Sequence, residues 1–154
     1  LLYITEPQEF MLQFTKELSE SSGRPVIQLS LPFRRKQEKD FWFRMDAGPE
    51  EFIGYFQCAS CVITNSFHGL AFSILFEKQF LVFEHSAYHT RLKNLLEKFS
   101  LEQRLMRQDE MIDLSRMDEI IDWRSVGKSL QEERKSSENF ISEGMKGIWK
   151  DRIY

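Results

Sequence analysis

Residues 64 to 69 read Thr-Asn-Ser-Phe-His-Gly, which puts three short polar side chains, a histidine and a glycine within six positions. That chemistry suits an anion. Thr64, Asn65 and Ser66 are side-chain types that cap a helix N-terminus. Such a terminus leaves backbone N–H groups unpaired and carries partial positive charge, so a phosphate or carboxylate is stabilised there. His68 adds a hydrogen-bond donor that, once protonated, offsets negative charge. The same spacing allows another reading, a structural histidine bonded at a sheet edge. Gly69 removes a side chain where a ligand approaches the backbone, and equally where a helix must pack closely on a sheet.

Holding this hexapeptide in place takes a strand before it and a helix through it. Cys61, Val62 and Ile63 form a short apolar run, and Phe67, Leu70, Ala71, Ile74 and Leu75 then recur at helical spacing. A second apolar run, Phe80 to Phe83, predicts the next strand, so the stretch is one strand-helix-strand unit of a parallel sheet. Ligands of open parallel sheets sit at the carboxyl ends of the strands, which is where residues 64 to 69 fall. An earlier unit repeats the pattern. Leu1 to Ile4 predicts a strand, and Thr5 an N-cap with acidic Glu6 near the helix start. Phe10, Met11, Phe14 and Leu18 mark the helix, Ser21-Ser22-Gly23 its stop, and Val26 to Leu31 a strand. Two such units predict an α/β, Rossmann-like, three-layer αβα domain with a mainly parallel sheet, spanning residues 1 to 154.

The intervening and following segments are read in the same way. Pro32 to Asp40 predicts a charged loop and Phe41, Trp42, Phe43 and Met45 a short strand, with Gly48-Pro49-Glu50-Glu51 as a helix start. After Phe83 the polar loop Glu84 to Thr90 opens on the same side as His68, which makes Glu84, His85 and His89 site candidates by location. Thr90 is expected to cap a helix carrying Leu92, Leu95, Leu96 and Phe99, with Arg91 in its first turn. A cation there opposes the helix dipole, which points either to a bound anion or to a neighbouring acid. Leu101 to Leu114 reads as a connection, and two helices are expected over about 118–150, separated by the polar run Gln131 to Glu138.

Taken together, Thr-Asn-Ser-Phe-His-Gly, the following Ala71-Phe72-Ser73-Ile74 and the run Phe80–Phe83 resemble the polysaccharide pyruvyl transferase family. The likeness extends to Gly48-Pro49-Glu50-Glu51-Phe52-Ile53-Gly54 upstream and to Arg91-Leu92-Lys93-Asn94-Leu95-Leu96, Leu101 and Arg104 downstream, covering about residues 46 to 105. The resemblance implies the C-terminal half of a two-domain enzyme with a GT-B-like fold. Such an enzyme moves pyruvate from phosphoenolpyruvate onto a sugar of a cell-surface polysaccharide or its precursor, as a ketal. It implies that His68 binds or protonates the donor phosphate, helped by backbone N–H groups near Gly69; with the readings above, Thr64, Asn65, Ser66, Gly69, Arg91 and, by location, Glu84 are the expected substrate-binding residues. It further implies a glycan or lipid-linked saccharide acceptor, the missing N-terminal half as a partner, and no cofactor. The isolated chain is then expected to be inactive. Some members carry an arginine shortly before the histidine, where this chain has Asn65 and Ser66. Arg91 is the candidate to replace that cation, ahead of Arg34 or Arg35. Two other readings stay open: the C-terminal half of a nucleotide-sugar-dependent GT-B glycosyltransferase, and a non-catalytic interaction domain.

Composition narrows the class. A net charge of −3 argues against a general nucleic-acid binder. With 42% hydrophobic and 29% charged residues the chain is neither disordered nor membranous. No apolar run reaches spanning length, so a soluble, cytoplasmic protein without a transmembrane segment is expected. The first residue is Leu1 rather than Met and lies in a strand pattern, which suggests a piece of something longer. Cys58 and Cys61 form a lone C-x-x-C that reads as two buried thiols in a reducing compartment, and three histidines without a second ligand cluster give no metal site.

Overall fold

The computed structural model describes residues 1–6, 8–30, 41–86, 89–107 and 110–150. The sequence-predicted loop Pro32–Asp40, with Arg34 and Arg35, lies outside the described residues, as does the side chain of His89. The elements run β1 (Leu2–Ile4), α1 (Glu9–Ser22), β2 (Ile27–Ser30), β3 (Trp42–Arg44), α2 (Pro49–Cys58), β4 (Cys61–Thr64), α3 (Phe67–Leu75), β5 (Gln79–Phe83), α4 (His89–Lys98), β6 (Leu105–Met106) and α5 (Trp123–Lys150). The strands form one sheet in the order β3-β2-β1-β4-β5-β6, and every pair is parallel. The fold is therefore α/β and Rossmann-like, as expected. The order reverses between β1 and β4, which makes the carboxyl ends of those two strands the topological switch point.

Register explains the two faces. Leu2 pairs with Ile63, Ile63 with Leu81 and Phe83 with Met106, so these residues share one face by the period-2 rule. They join Ile4, Val26 and Phe41 in a core closed by Met11, Leu12 and Phe14 of α1. Alternation turns Tyr3, Val62, Thr64, Phe80 and Val82 to the opposite face. There Tyr3 meets Phe52 and Phe56 of α2 edge-on at 5.1 and 6.0 Å, and both α2 rings contact Phe72 of α3. Such edge-to-face pairs add about 0.5–1.5 kcal/mol each beyond the area they bury.

Helix boundaries follow local chemistry, with corrections. α1 ends at Gly23, whose φ of 65° is the left-handed conformation that a C-terminal stop favours. Its start lies later than expected: Gln8, not Thr5, precedes the first turn, because the N–H and hydroxyl of Thr5 are both spent on Asn65. α2 opens at Gly48-Pro49 as expected, with the Glu51 carboxylate accepting from Gly48 N–H at 3.0 Å. Thr90 is the second residue of α4 rather than its cap. The connection after Leu101 contains a sixth strand, β6, too short to show any periodicity.

The chain divides into two compact units, Leu1–Ile121 and Asp122–Tyr154. All six strands and α1 to α4 belong to the first. In the second, Asp122 Oδ1 accepts from the N–H groups of Arg124 and Ser125 and caps one continuous helix of 28 residues, α5. The expected break at Gln131–Glu138 is absent, because glutamine, glutamate, arginine and lysine all favour helix, so a polar run need not interrupt one. The C-x-x-C straddles the end of α2 and the start of β4, but both thiols are free and Cys58 is exposed rather than buried.

Candidate functional site

Three strand ends converge on the carboxyl edge of the sheet: Thr5-Glu6 after β1, residues 64 to 68 after β4, and Glu84 to Ser86 after β5. Much of the polar chemistry there is turned inward. Thr64 Oγ1 donates to Tyr3 O at 2.7 Å and accepts from Ser66 N–H at 3.1 Å. Asn65, 1% exposed, accepts from the N–H of Thr5 at 2.9 Å and its hydroxyl at 3.2 Å, and donates from Nδ2 to Glu6 O. Asn65 thus laces β4 to β1 across the switch point. Ser66 is buried at the N-cap position of α3, with its hydroxyl close to the Tyr3 phenol. Burial raises the Tyr3 pKa above its ordinary value, and the nearby Ser66 hydroxyl opposes that rise.

None of these oxygens performs the expected capping, since the first turn of α3 carries no side-chain cap. Beyond the Ser66 N–H, the N–H groups of that turn have no intrahelical acceptor, which is the condition for holding an anion. Gly69 is buried, and a Cβ there would lie 2.2 Å from Thr64 Oγ1 and 2.9 Å from Thr64 Cβ. The helix can approach the strand end only because residue 69 is glycine, so of the two sequence-level reasons close packing is the one the geometry displays.

His68 and Arg91 behave differently. Both are exposed, and among the described residues neither side chain has a hydrogen bond or an ion pair; each makes a ring contact with Phe67. The Arg91 Cζ lies over that ring at 4.7 Å from its centroid, and the imidazole of His68 meets it edge-on at 6.1 Å. The sheet-edge hydrogen bond considered for His68 and the acidic partner considered for Arg91 are absent among the described residues. Two cationic or protonatable groups therefore stand with their donors unspent beside the bare first turn of α3.

The loop after β5 is fastened by Glu6. Its carboxylate accepts from the Ser86 hydroxyl at 2.5 Å and the Ser86 N–H at 3.0 Å, with His85 Nδ1 at 3.5 Å and Gln8 Nε2 at 3.3 Å. The Ser86 hydroxyl bond, first among these partners, holds the Glu6 carboxyl below the usual glutamate range against the opposing effect of partial burial. Glu84 sits beside the clamp: its N–H donates to Met106 O at 2.9 Å and its carbonyl accepts from Gln8 Nε2 at 2.6 Å. Its side chain lines a cleft of about 380 Å³ shared with Lys93, Arg107 and Arg116.

Sequence reasoning counted Phe67 only as a core residue and Glu6 only as a helix-dipole complement. No local signal marks either role, because their partners lie 24 and 80 positions away. Arg104 stands apart from the site. It is fully buried, donates from Nη1 to Arg116 O at 2.9 Å and from Nη2 to Glu119 O, and braces the segment after β6. Burial pushes its guanidinium below the ordinary arginine range. Among the described residues no group of three or more His, Cys, Asp or Glu is placed to hold a metal, and no helix is long and apolar enough to cross a membrane.

A family model described as polysaccharide pyruvyl transferase matches residues 5–87, more than half of the chain. The match runs from the end of β1 through the clamped loop and includes the whole 64–69 turn. No curated protein and no solved structure matches the chain.

Proposed function

Because the chain belongs to the polysaccharide pyruvyl transferase family, we propose that it is the C-terminal, donor-binding half of an enzyme that transfers pyruvate from phosphoenolpyruvate to a sugar of a cell-surface polysaccharide or its precursor. The reading is carried by the pair His68 and Arg91, exposed and without polar partners among the described residues at the uncapped first turn of α3. In this reading the phosphate of phosphoenolpyruvate rests on the N–H groups of that turn, with His68 and Arg91 donating to its oxygens.

The reaction places defined demands on such a site. Ketal formation adds a proton to the methylene carbon of the donor, joins two sugar hydroxyl oxygens to its central carbon and releases phosphate. The leaving dianion gains charge as its C–O bond breaks, so fixed donors stabilise the transition state more than the ground state. His68, in its protonated form, is the acid or phosphate ligand and Arg91 the fixed charge that substitutes for the arginine some members carry before the histidine. Thr64, Asn65, Ser66 and Gly69 contribute by shaping the turn. Glu84 contributes to substrate binding from the cleft that it lines with Lys93. The base for the sugar hydroxyl and most acceptor contacts belong to the N-terminal half of a GT-B-like, cytoplasmic enzyme, and the chain alone is inactive.

Calorimetric titration of phosphoenolpyruvate into the chain, with His68→Ala and Arg91→Ala alongside and UDP and CMP sugars as competitors, tests this. Loss of about 1.5–3 kcal/mol of binding in each variant is expected for a charge-assisted hydrogen bond. Nucleotide-sugar binding without phosphoenolpyruvate binding would replace the reading with a glycosyltransferase half.

A further inference from the structure

Arg91 occupies an unfavourable place for a cation, the first turn of α4, where the helix dipole repels positive charge. An ion pair would be the ordinary remedy, but among the described residues Arg91 makes none, and two acids of the same unit are engaged elsewhere. Glu97 faces Lys93 at 3.7 Å, and Glu6 is held by Ser86, His85 and Gln8. What holds the guanidinium is the face of Phe67, the first residue of α3, 24 positions earlier in the chain. The difference has a chemical consequence. A carboxylate would consume N–H donors of the arginine and neutralise it, whereas a ring attracts the charge while accepting none of its five N–H groups. The cation is placed and remains available.

We propose that Phe67 is a positioning residue that holds the Arg91 guanidinium beside the first turn of α3, preorganised to meet the donor's phosphate together with His68. The inference rests on the functional reading above. An arginine free to sample its rotamers loses that freedom when it grips an anion, at a cost of about 0.5–1.5 kcal/mol, and prior placement on the ring removes that cost from binding. The same contact also bridges the N-terminal turns of α3 and α4. It therefore joins the two helix ends whose dipoles favour an anion.

The test is a double-mutant cycle on the chain, reading phosphoenolpyruvate and inorganic phosphate binding by calorimetry and folding by circular dichroism. Phe67→Leu is expected to weaken both anions by about 2- to 10-fold. Phe67→Tyr, which keeps a ring face, is expected to bind as the original does. In an Arg91→Ala background Phe67→Leu should have no further effect, because the ring then has nothing to place. Phe67→Met, ringless and similar in volume, takes the place of Phe67→Leu should the latter not fold. An equal loss from Phe67→Leu in both backgrounds, or no loss while Arg91→Ala abolishes binding, overturns the positioning role and leaves the functional reading standing. Phosphate binding that depends on Phe67 without any phosphoenolpyruvate binding overturns the functional reading and retains the positioning role. Absence of binding to either anion overturns both.

Discussion

The 2.2 Å that would separate a Cβ on residue 69 from Thr64 Oγ1 is closer than any real contact of that kind, and Thr64 Cβ stands only 2.9 Å away. Gly69→Ala must therefore push α3 off the end of β4 or expel the Thr64 hydroxyl from its bond to Tyr3 O. Overpacking of this sort costs about 1–3 kcal/mol. Thermal or denaturant unfolding should show that loss, and Thr64→Ala should recover part of it in the double mutant, since the two side chains compete for one volume. A Gly69→Ala variant as stable as the original would mean the turn is looser than the geometry describes. The hexapeptide is thus divided in its work. Thr64, Asn65, Ser66 and Gly69 are occupied in building the turn, while His68 projects from it with its donors unused.

One carboxylate gathers His85 and Ser86 of the loop after β5. Glu6 reaches from the end of β1 to Ser86 and His85, so charge-assisted hydrogen bonds help to fix the element that borders the site. Its pKa is held below the ordinary value in the folded state, so its contribution to stability is fully present above the unfolded value, near pH 4.3, and is lost as pH falls through the folded value. Melting temperature measured from pH 6 downward should therefore show Glu6→Gln less stable than the original at pH 6, with the gap narrowing below about pH 4.3. A gap that stays constant to pH 3 would remove Glu6 from the account of the clamp. The prediction concerns the β1 and β5 ends together, because neither strand alone supplies both partners.

Across the fold, protection should follow the sheet order. β4 and β5 lie inside the sheet, and Val62, Ile63 and Phe80 to Phe83 are all at most 1% exposed. β3 is an edge strand, paired only with β2 and presenting Trp42 at 62% exposure. Local opening costs least where few apolar contacts must break. Amide exchange is expected to be slowest in Val62–Thr64 and Phe80–Val82, and faster by orders of magnitude in Trp42–Arg44. Equal protection of Trp42–Arg44 and Val62–Thr64 would contradict this order. In the second unit α5 exposes Phe140, Ile141 and Met145 and most of the residues from Gln131 to Met145, so its middle should exchange early as well.

Periodicity and helix-end chemistry made most of the architecture legible from the residues alone. Alternation of apolar runs with helical spacing gave the parallel α/β sheet, Gly23 the end of α1, and Gly48-Pro49 the start of α2. These signals are local, carried by neighbours along the chain, and so they survive without coordinates. The ordered motif from Gly48 to Arg104 gave the family for the same reason. Partnership is a different matter. That Asn65 is spent on Thr5 and Glu6, that Glu6 fastens Ser86, and that Arg91 rests on Phe67 and not on an acid were all invisible, because each joins residues between 24 and 80 positions apart. Chain folding brings such pairs together through sheet order and register, which no short window contains. A polar side chain's identity reveals what it can bond; its neighbours in space determine whether that capacity is already used or remains for a ligand.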